Sequence, residues 1–202
     1  MNTGELQQDT KERIRTCAIE LFKEFGYENV TVVQICREAD ITKRTFYYHY
    51  DSKEQLLYGL IDYMGVKAEQ LLKSLAAQQT NLGMLWELMS VYSFKSVEYG
   101  PNIIKQIYVL MMQGKGSADE HFPFSTYLYD LVVRTVINAQ RAGEIVNPCP
   151  PEDIAFTLYH AFRSVVITWA AENGAFDLVD TYRKVFEVVL GIRRSGGNPE
   201  QG

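Results

Sequence analysis

Residues 31–57 read TVVQICREADITKRTFYYHYDSKEQLL, and this stretch contains two helix-start signals separated by a tight turn. Thr31 and Gln34 have the spacing of a capping box, which predicts a short helix that ends near Ala39. Thr42 can then cap a second short helix, because a threonine hydroxyl accepts a hydrogen bond from a free N–H group at a helix start. Two short helices joined by such a turn, after a supporting helix, predict a helix-turn-helix.

Helical periodicity extends along the chain on both sides of this stretch. Upstream, apolar residues from Ile14 to Phe25 recur at helical spacing, between an expected cap at Asp9 and an expected stop at Gly26. Downstream, Ser52 opens a second capping box and a long helix. Further helices are predicted at residues 82–99, 102–113, 124–142, 152–172 and 177–190. No segment shows the pattern of a strand, so the sequence predicts an all-α protein.

The composition is that of a soluble globular protein, since 47% of the 202 residues are hydrophobic and 22% are charged. The net charge of −5 excludes a generally basic nucleic-acid coat but is compatible with a local DNA-binding surface. The most apolar stretch, residues 154–171, is interrupted by His160 and Arg163, so no membrane span is expected. Three cysteines without metal-like spacing and a polar N-terminal segment indicate a cytoplasmic protein.

The first quarter of the chain closely resembles the DNA-binding signature of the TetR family of bacterial repressors. The positions in register with that signature are Thr31, Ile35, Ala39, Thr42, Thr45, Tyr47, Tyr50, Ser52, Lys53 and Glu54. The preceding helix also ends in the matching pattern Phe-x-x-x-Gly-Tyr, from Phe22 to Tyr27. Asp40 stands where the family usually has glycine. Aspartate tolerates a left-handed turn better than most residues, so we expect the turn to survive.

This resemblance implies a two-domain organisation. An N-terminal three-helix helix-turn-helix domain at residues 9–55 is joined to a C-terminal helical ligand-binding and dimerisation domain at residues 56–192. A polar tail follows at residues 193–202. From the pattern of the helix-turn-helix segment alone, a helical hairpin whose charged residues face solvent is the alternative.

The resemblance implies two kinds of contact with double-stranded operator DNA. Phosphate contacts are expected from Thr31, Thr42, Tyr47, His49 and Lys53. Base contacts are expected from Lys43, Arg44 and Thr45, with Tyr48 as a further contact. The chemistry agrees with this division, because Arg44 can bridge O6 and N7 of guanine, whereas Lys53 lies at a helix start suited to holding phosphate.

The C-terminal part is rich in aromatic residues and methionines, which ordinarily indicates core packing. Tyrosine is a poor choice for a dry core, however, because its hydroxyl needs a partner. With the family resemblance, we predict a pocket for a small apolar or aromatic effector, lined by Trp86, Tyr92, Tyr108, Met111, Tyr127 and Tyr159. For Arg163, an ion pair or hydrogen bond across a subunit interface is favoured over a clamp on a ligand carboxylate.

The last two predicted helices are apolar on more than one face, so each is expected to be buried on two sides. The resemblance implies a homodimer with a two-fold interface between these helices. The expected interface residues are Phe162, Val166, Trp169, Tyr182, Val185 and Val189. The alternative is burial of both helices wholly within one subunit.

Motifs for catalysis are missing from the sequence. It has no Glu-x-x-His pair, no P-loop and no Gly-x-Ser-x-Gly elbow, so we assign no catalytic residue and no cofactor. Residues 119–121 (Asp-Glu-His) are too close in sequence to converge on one ion, so no metal site is assigned. The predicted function is a ligand-responsive transcriptional regulator that represses from a palindromic operator. Two alternatives stay open: a same-fold activator or partner-controlled regulator without a small-molecule signal, and a helical carrier or enzyme with a vestigial helix-turn-helix.

Overall fold

The computed structural model describes residues 3–57, 60, 80–114 and 126–192, and the regular structure in these residues is helical. The N-terminal helices are α1 (Thr3–Phe25), α2 (Val32–Glu38), α3 (Lys43–His49) and the start of α4 at residues 53–57, with a 3-10 turn at Tyr27–Asn29. The later helices are α5 (Asn81–Tyr99), α6 (Pro101–Met112), α7 (Thr126–Arg141), α8 (Pro151–Ala171) and α9 (Leu178–Leu190). The all-α prediction is confirmed.

The first three helices pack around one small core. Ile14 and Phe22 of α1 meet Ile35 of α2 and Phe46 of α3, and all four side chains are almost fully buried. The helical spacing of these residues places them on inward faces, so burial of apolar surface holds the domain together. Gly26, with φ of 78°, ends α1 as predicted.

The prediction that Asp9 caps α1 is wrong, because the helix already runs from Thr3 through this position. Residues 5–8 (Glu-Leu-Gln-Gln) are good helix formers, so nothing stops the helix from extending upstream of the aspartate.

Prolines and caps delimit the later helices where the sequence predicts them. Pro101 begins α6 directly after Gly100, and Pro151 begins α8. The Asp177 carboxylate accepts a hydrogen bond from the backbone N–H of Asp180 at 2.9 Å and so caps α9. The predicted tail, the loop at 115–125 and most of the long helix after residue 57 lie outside the described residues.

Helix α8 is the centre of the C-terminal domain and packs against α6, α7 and α9. Within the described part of the chain it is the one helix long and apolar enough to cross a membrane by length and composition. Its apolar character has another explanation here, since the helix is covered on three sides by its neighbours.

Four of the six predicted dimer-interface residues are part of the core of a single chain. The side chains of Phe162, Val166, Trp169 and Tyr182 are at most 5% exposed, so they have almost no surface left for a second subunit. Phe162 and Tyr182 stack on each other with ring centroids 4.2 Å apart. Val185 and Val189 are only partly buried. The apolar pattern therefore correctly indicated that α8 and α9 have more than one apolar face. The prediction was wrong in placing these four residues, which lie in the core of one subunit, at the interface with a second subunit.

Candidate nucleic-acid interface and regulatory core

The helix-turn-helix is built on the caps that the sequence predicts. The Thr31 hydroxyl accepts a hydrogen bond from the Gln34 N–H at 3.3 Å, and the Gln34 side-chain oxygen accepts one from the Thr31 N–H at 2.7 Å. The Thr42 hydroxyl accepts a hydrogen bond from the Thr45 N–H at 3.1 Å and so caps α3. Both helix starts are thus set by local hydrogen bonds.

The turn between α2 and α3 has the left-handed backbone conformation that a glycine at position 40 would adopt easily. Asp40 adopts φ of 49°, in the left-handed region. The Ile41 N–H donates to the Cys36 carbonyl at 2.9 Å, and the Asp40 N–H donates to the Arg37 carbonyl at 3.3 Å. These two bonds form a Schellman motif, in which the left-handed residue follows the last helical turn. The expectation that the turn survives with aspartate is confirmed.

Helix α3 has one anchored face and one free face. Phe46 is fully buried and packs against Tyr50, so the helix is fixed to the domain core. On the opposite face Lys43 and Arg44 are exposed, and Tyr48 is 68% exposed. No acidic residue occurs between residues 43 and 49. This geometry offers donors and a positive charge to an approaching polyanion.

His49 and Tyr47 flank this free face. Burial, and then the charge of Lys11, lowers the pKa of His49 below its usual value. At neutral pH the imidazole therefore contributes one N–H donor without a positive charge. Tyr47 is 52% exposed, and its hydroxyl is the kind of group that commonly donates to phosphate oxygens.

Lys53, a predicted phosphate contact, holds two parts of its own domain together. Its ammonium group donates to the carbonyls of Tyr27 and Val30 at 2.7 and 2.8 Å, and lies 4.0 Å from the centre of the Tyr27 ring. Two of its three N–H donors are therefore used within the protein. The sequence shows no local sign of this contact, because Lys53 and Tyr27 are 26 residues apart.

The second capping box is only half formed. The Ser52 hydroxyl accepts a hydrogen bond from the Gln55 N–H at 3.1 Å, as predicted. The Gln55 side chain, however, accepts its hydrogen bond from the backbone N–H of Asp51. The side chain reaches one residue further back, and α4 still starts where the sequence predicts.

The predicted effector-binding residues fall into two groups. Tyr92 of α5, Tyr108 of α6 and Tyr159 of α8 lie near the buried Tyr182 of α9, whose pKa is raised well above its ordinary value, first by burial and then by the proximity of these three phenols. We call these four residues the tyrosine cluster. The described contacts of Trp86 are with other residues of α9: its ring centroid is 5.3 Å from that of Phe186, and the Arg183 guanidinium lies 4.1 Å from the ring centre.

The other two predicted effector-binding residues do not join the cluster on the described contacts. Met111 is buried in the core. The side chain of Tyr127 lies outside the described residues.

Arg163 points toward the tyrosine cluster of its own chain. Its guanidinium carbon is 5.8 Å from the centre of the Tyr108 ring. Burial raises the pKa of Tyr108 to about 12, although the nearby charge of Arg163 acts in the opposite direction. The same two influences act on Tyr159, whose pKa is also raised. The described contacts of Arg163 are with tyrosines of its own chain, and its role at a subunit interface stays a prediction.

A hydrogen bond joins the two domains at a point that the sequence analysis missed. Gln106 of α6 donates to the Glu28 carboxylate in the 3-10 turn at 3.2 Å. Helix α6 also packs against α1 and against this turn. The two residues are 78 positions apart, so no spacing rule could reveal the contact.

Among the residues that the structure describes, no group of three His, Cys, Asp or Glu side chains is placed to hold an ion.

Comparison with known proteins identifies the N-terminal domain. Residues 14–59 match the family model of bacterial regulatory proteins of the tetR family. The chain carries the DNA-binding domain of the TetR family. The TetR-type segment includes α2, the Asp40 turn and α3, which are the elements that form the exposed basic face.

A curated transcriptional regulator is similar to this chain over a short stretch. The biofilm operon icaADBC HTH-type negative transcriptional regulator IcaR of Staphylococcus epidermidis is 44% identical over 46 residues. Those residues are 23% of this chain and 25% of that protein. The chain spans about a quarter of the length of the curated relatives it matches.

Solved structures of TetR-type regulators are similar over nearly the whole chain. FadR of Thermus thermophilus, a TetR family transcriptional repressor solved in complex with lauroyl-CoA, has a TM-score of 0.64 and 21% identity, covering 95% of this chain and 99% of that one. FadR of Bacillus subtilis, solved with stearoyl-CoA, has a TM-score of 0.65 and 17% identity, with coverages of 91% and 99%. At this identity the likeness concerns the fold: a helix-turn-helix domain followed by a helical domain.

Proposed function

We propose that this protein is a dimeric transcriptional repressor that binds a palindromic operator and leaves it when a small molecule with an apolar or aromatic body binds the C-terminal domain. The observation that carries the proposal is the free face of α3, where Lys43, Arg44 and Tyr48 project from a helix anchored by Phe46. A fixed helix with exposed donors is what major-groove recognition requires. The protein acts on DNA in the cytoplasm, and no catalytic step is involved.

The roles of individual residues follow from their placement. Arg44 and Lys43 are proposed as base readers, because both are exposed at the start of α3, and Thr45 lies beside them. Thr31, Thr42, Tyr47 and His49 are proposed as phosphate contacts at the edges of the same surface. Between residues 31 and 53, four basic side chains face three acidic ones, so affinity for nonspecific DNA should be modest.

The proposed dimer forms through the outer faces of α8 and α9. On α8, Phe156, His160 and Ser164 are exposed at four-residue spacing, and Phe156 is 57% exposed although it is aromatic. On α9, Val188 is 80% exposed. Asn147, four residues before α8, donates to the Val189 carbonyl at 2.6 Å, so the end of α9 lies near the segment that leads into α8. A second copy related by a two-fold axis would cover both apolar side chains.

The described contacts support a route from the effector to the DNA. Helix α6 carries Tyr108 of the tyrosine cluster and, half a turn earlier, Gln106, which donates to Glu28 of the 3-10 turn. Lys53, at the start of α4, donates to the carbonyls of Tyr27 and Val30, which lie at the first residue of the same turn and directly after it. A shift of α6 would therefore move this turn and α4 together.

The effector must bind better to the conformation that fits DNA poorly. In a two-fold dimer the recognition helices must be about 34–36 Å apart to occupy successive major grooves. A ligand that favours another spacing weakens DNA binding by its differential affinity for the two conformations. Coupling of about 1–3 kcal/mol corresponds to roughly 5–150-fold loss of operator affinity.

The direct test begins with selection of an operator from a random duplex library. We expect a two-fold symmetric site with half-sites one helical turn apart, bound with strong salt dependence. Light scattering at micromolar protein concentration should show a dimer. Equal affinity for the selected duplex and a scrambled duplex would refute sequence-specific regulation, and a monomer would refute the symmetric assembly.

A further inference from the structure

Arg163 brings a positive charge into a largely apolar part of the C-terminal domain. It lies on α8 one turn after Tyr159, is only partly exposed, and faces the ring of Tyr108 on α6. Stacked Phe162 and Tyr182 lie close by on α8 and α9. The guanidinium thus lies between α8 and α6, which pack against each other.

No protein carboxylate neutralises this charge within the described residues. The ion pairs there join Lys23 to Glu20, Lys95 to Glu98 and Lys184 to Asp180, and none includes Arg163. The phenols cannot supply the missing negative charge, since burial raises the pKa of Tyr108 to about 12 and that of Tyr182 well above its ordinary value. Among the described residues this partly buried charge has no counter-ion, which is unfavourable, and binding of an anion would relieve the cost.

The groups at this position match one kind of ligand head group. Arg163 offers a planar fork of N–H donors and no acceptor, and neutral tyrosine hydroxyls can donate as well. A carboxylate is planar, accepts two parallel hydrogen bonds from a guanidinium, and has further lone pairs for phenol donors. The aromatic side chains around the cluster are suited to an apolar body.

We propose that the effector is an organic acid, whose carboxylate is bound by Arg163 with the hydroxyls of Tyr108 and Tyr159, and whose apolar body lies among the aromatic side chains of the C-terminal domain. This inference rests on the proposed function for its regulatory meaning, but acid binding itself can be measured without DNA. Binding of the acid next to Tyr108 would act directly on α6, the helix whose Gln106 donates a hydrogen bond to Glu28 of the N-terminal domain.

The experiment compares acids with neutral compounds of the same body. Octanoate is paired with octan-1-ol, and 3-phenylpropanoate with 3-phenylpropan-1-ol, and each is titrated calorimetrically into the full-length protein at pH 7. We expect the better acid to bind about 10–150-fold more tightly than its alcohol, which is the range for hydrogen bonds to a charged group.

Variants assign the preference to Arg163. R163M keeps an unbranched apolar stem but removes the charged guanidinium, and should bind the acid no better than the alcohol. R134M is the matched control, because Arg134 is an exposed arginine on α7 in the same domain, and it should keep the full preference. R163K keeps the charge without the planar fork and should show an intermediate preference. It also serves as the test if circular dichroism shows that R163M does not fold.

Each outcome has a defined meaning. Equal affinity for acid and alcohol in the parent protein, no binding of either acid at millimolar concentration, or an undiminished preference in folded R163M would overturn the inference. Operator release by the alcohols alone would overturn it as well, while leaving the proposed regulatory function standing. Acid binding that depends on Arg163 but never changes operator affinity would support the acid site and refute the regulatory function.

Discussion

Replacement of Lys53 by methionine tests whether this residue mainly stabilises its own domain or mainly holds phosphate. The variant K53M removes two charge-assisted hydrogen bonds, from Nζ to the carbonyls of Tyr27 and Val30, and the contact with the Tyr27 ring at 4.0 Å. Methionine keeps most of the aliphatic stem, so packing changes little.

The size of the effect follows from these contacts. Hydrogen bonds to charged groups contribute about 1.5–3 kcal/mol each when buried. Lys53 is only half-buried and water can replace part of the loss, so we expect the free energy of unfolding to fall by about 1–3 kcal/mol in total. In a chain of this length each kcal/mol corresponds to roughly 2–4 °C in Tm, which predicts a fall of roughly 2–12 °C.

The assay combines thermal unfolding with operator binding at several salt concentrations, well below the Tm. The salt slope is the slope of log operator affinity against log salt concentration, and each phosphate contact contributes about 0.9 to its magnitude. If Lys53 acts mainly within the domain, K53M lowers the Tm and changes the salt slope by clearly less than about 0.9. Lys43→Met is the control, because Lys43 is exposed on the free face of α3. As a proposed base reader, Lys43 should be dispensable for stability, so this variant should leave the Tm unchanged and lower operator affinity.

An unchanged Tm of K53M together with a slope that falls by about 0.9 would refute this reasoning. Lys53 would then be a phosphate contact, as the resemblance alone implies, and the hydrogen bonds to Tyr27 and Val30 would contribute little to stability.

Three further substitutions test other parts of the structure. Arg44→Ala should cost about 1–3 kcal/mol of operator affinity and relax specificity at one base pair in each half-site; a uniform loss across an operator library would contradict base reading. Asp40→Gly should raise the free energy of unfolding by about 0.5–1 kcal/mol, because glycine adopts φ of 49° without strain, and a lower Tm would contradict this. Val188→Glu should place a charge in the dimer interface and yield monomers in light scattering, whereas the same change at Phe94, exposed on α5, should leave the dimer intact.

The helix-turn-helix was largely predictable because it is built from local interactions. The caps at Thr31 and Thr42 each involve residues three positions apart, and the Asp40 turn is closed by hydrogen bonds over three and five residues. Such signals are visible in the sequence because the interacting groups are neighbours along the chain. The inward orientation of Phe46 follows similarly from helical periodicity.

Long-range contacts were beyond the reach of sequence patterns. The contact of Lys53 with Tyr27, the hydrogen bond of Gln106 with Glu28, and the placement of Arg163 beside Tyr108 each depend on how helices pack. Helix α8 shows the reason most clearly. Because it is apolar nearly all round, its sequence indicates burial on more than one side but does not indicate which neighbour covers each side.

The sequence by itself therefore determined the all-α class, the positions of most helix ends and the residues of the exposed basic face of α3, since these depend on periodicity and on hydrogen bonds between near neighbours. Only the tertiary structure decided that Phe162 and Tyr182 belong to the subunit core, that Phe156 and Val188 remain exposed, and that Arg163 faces tyrosines of its own chain. These outcomes depend on which of several apolar faces meet, and that choice is made by packing over the whole domain.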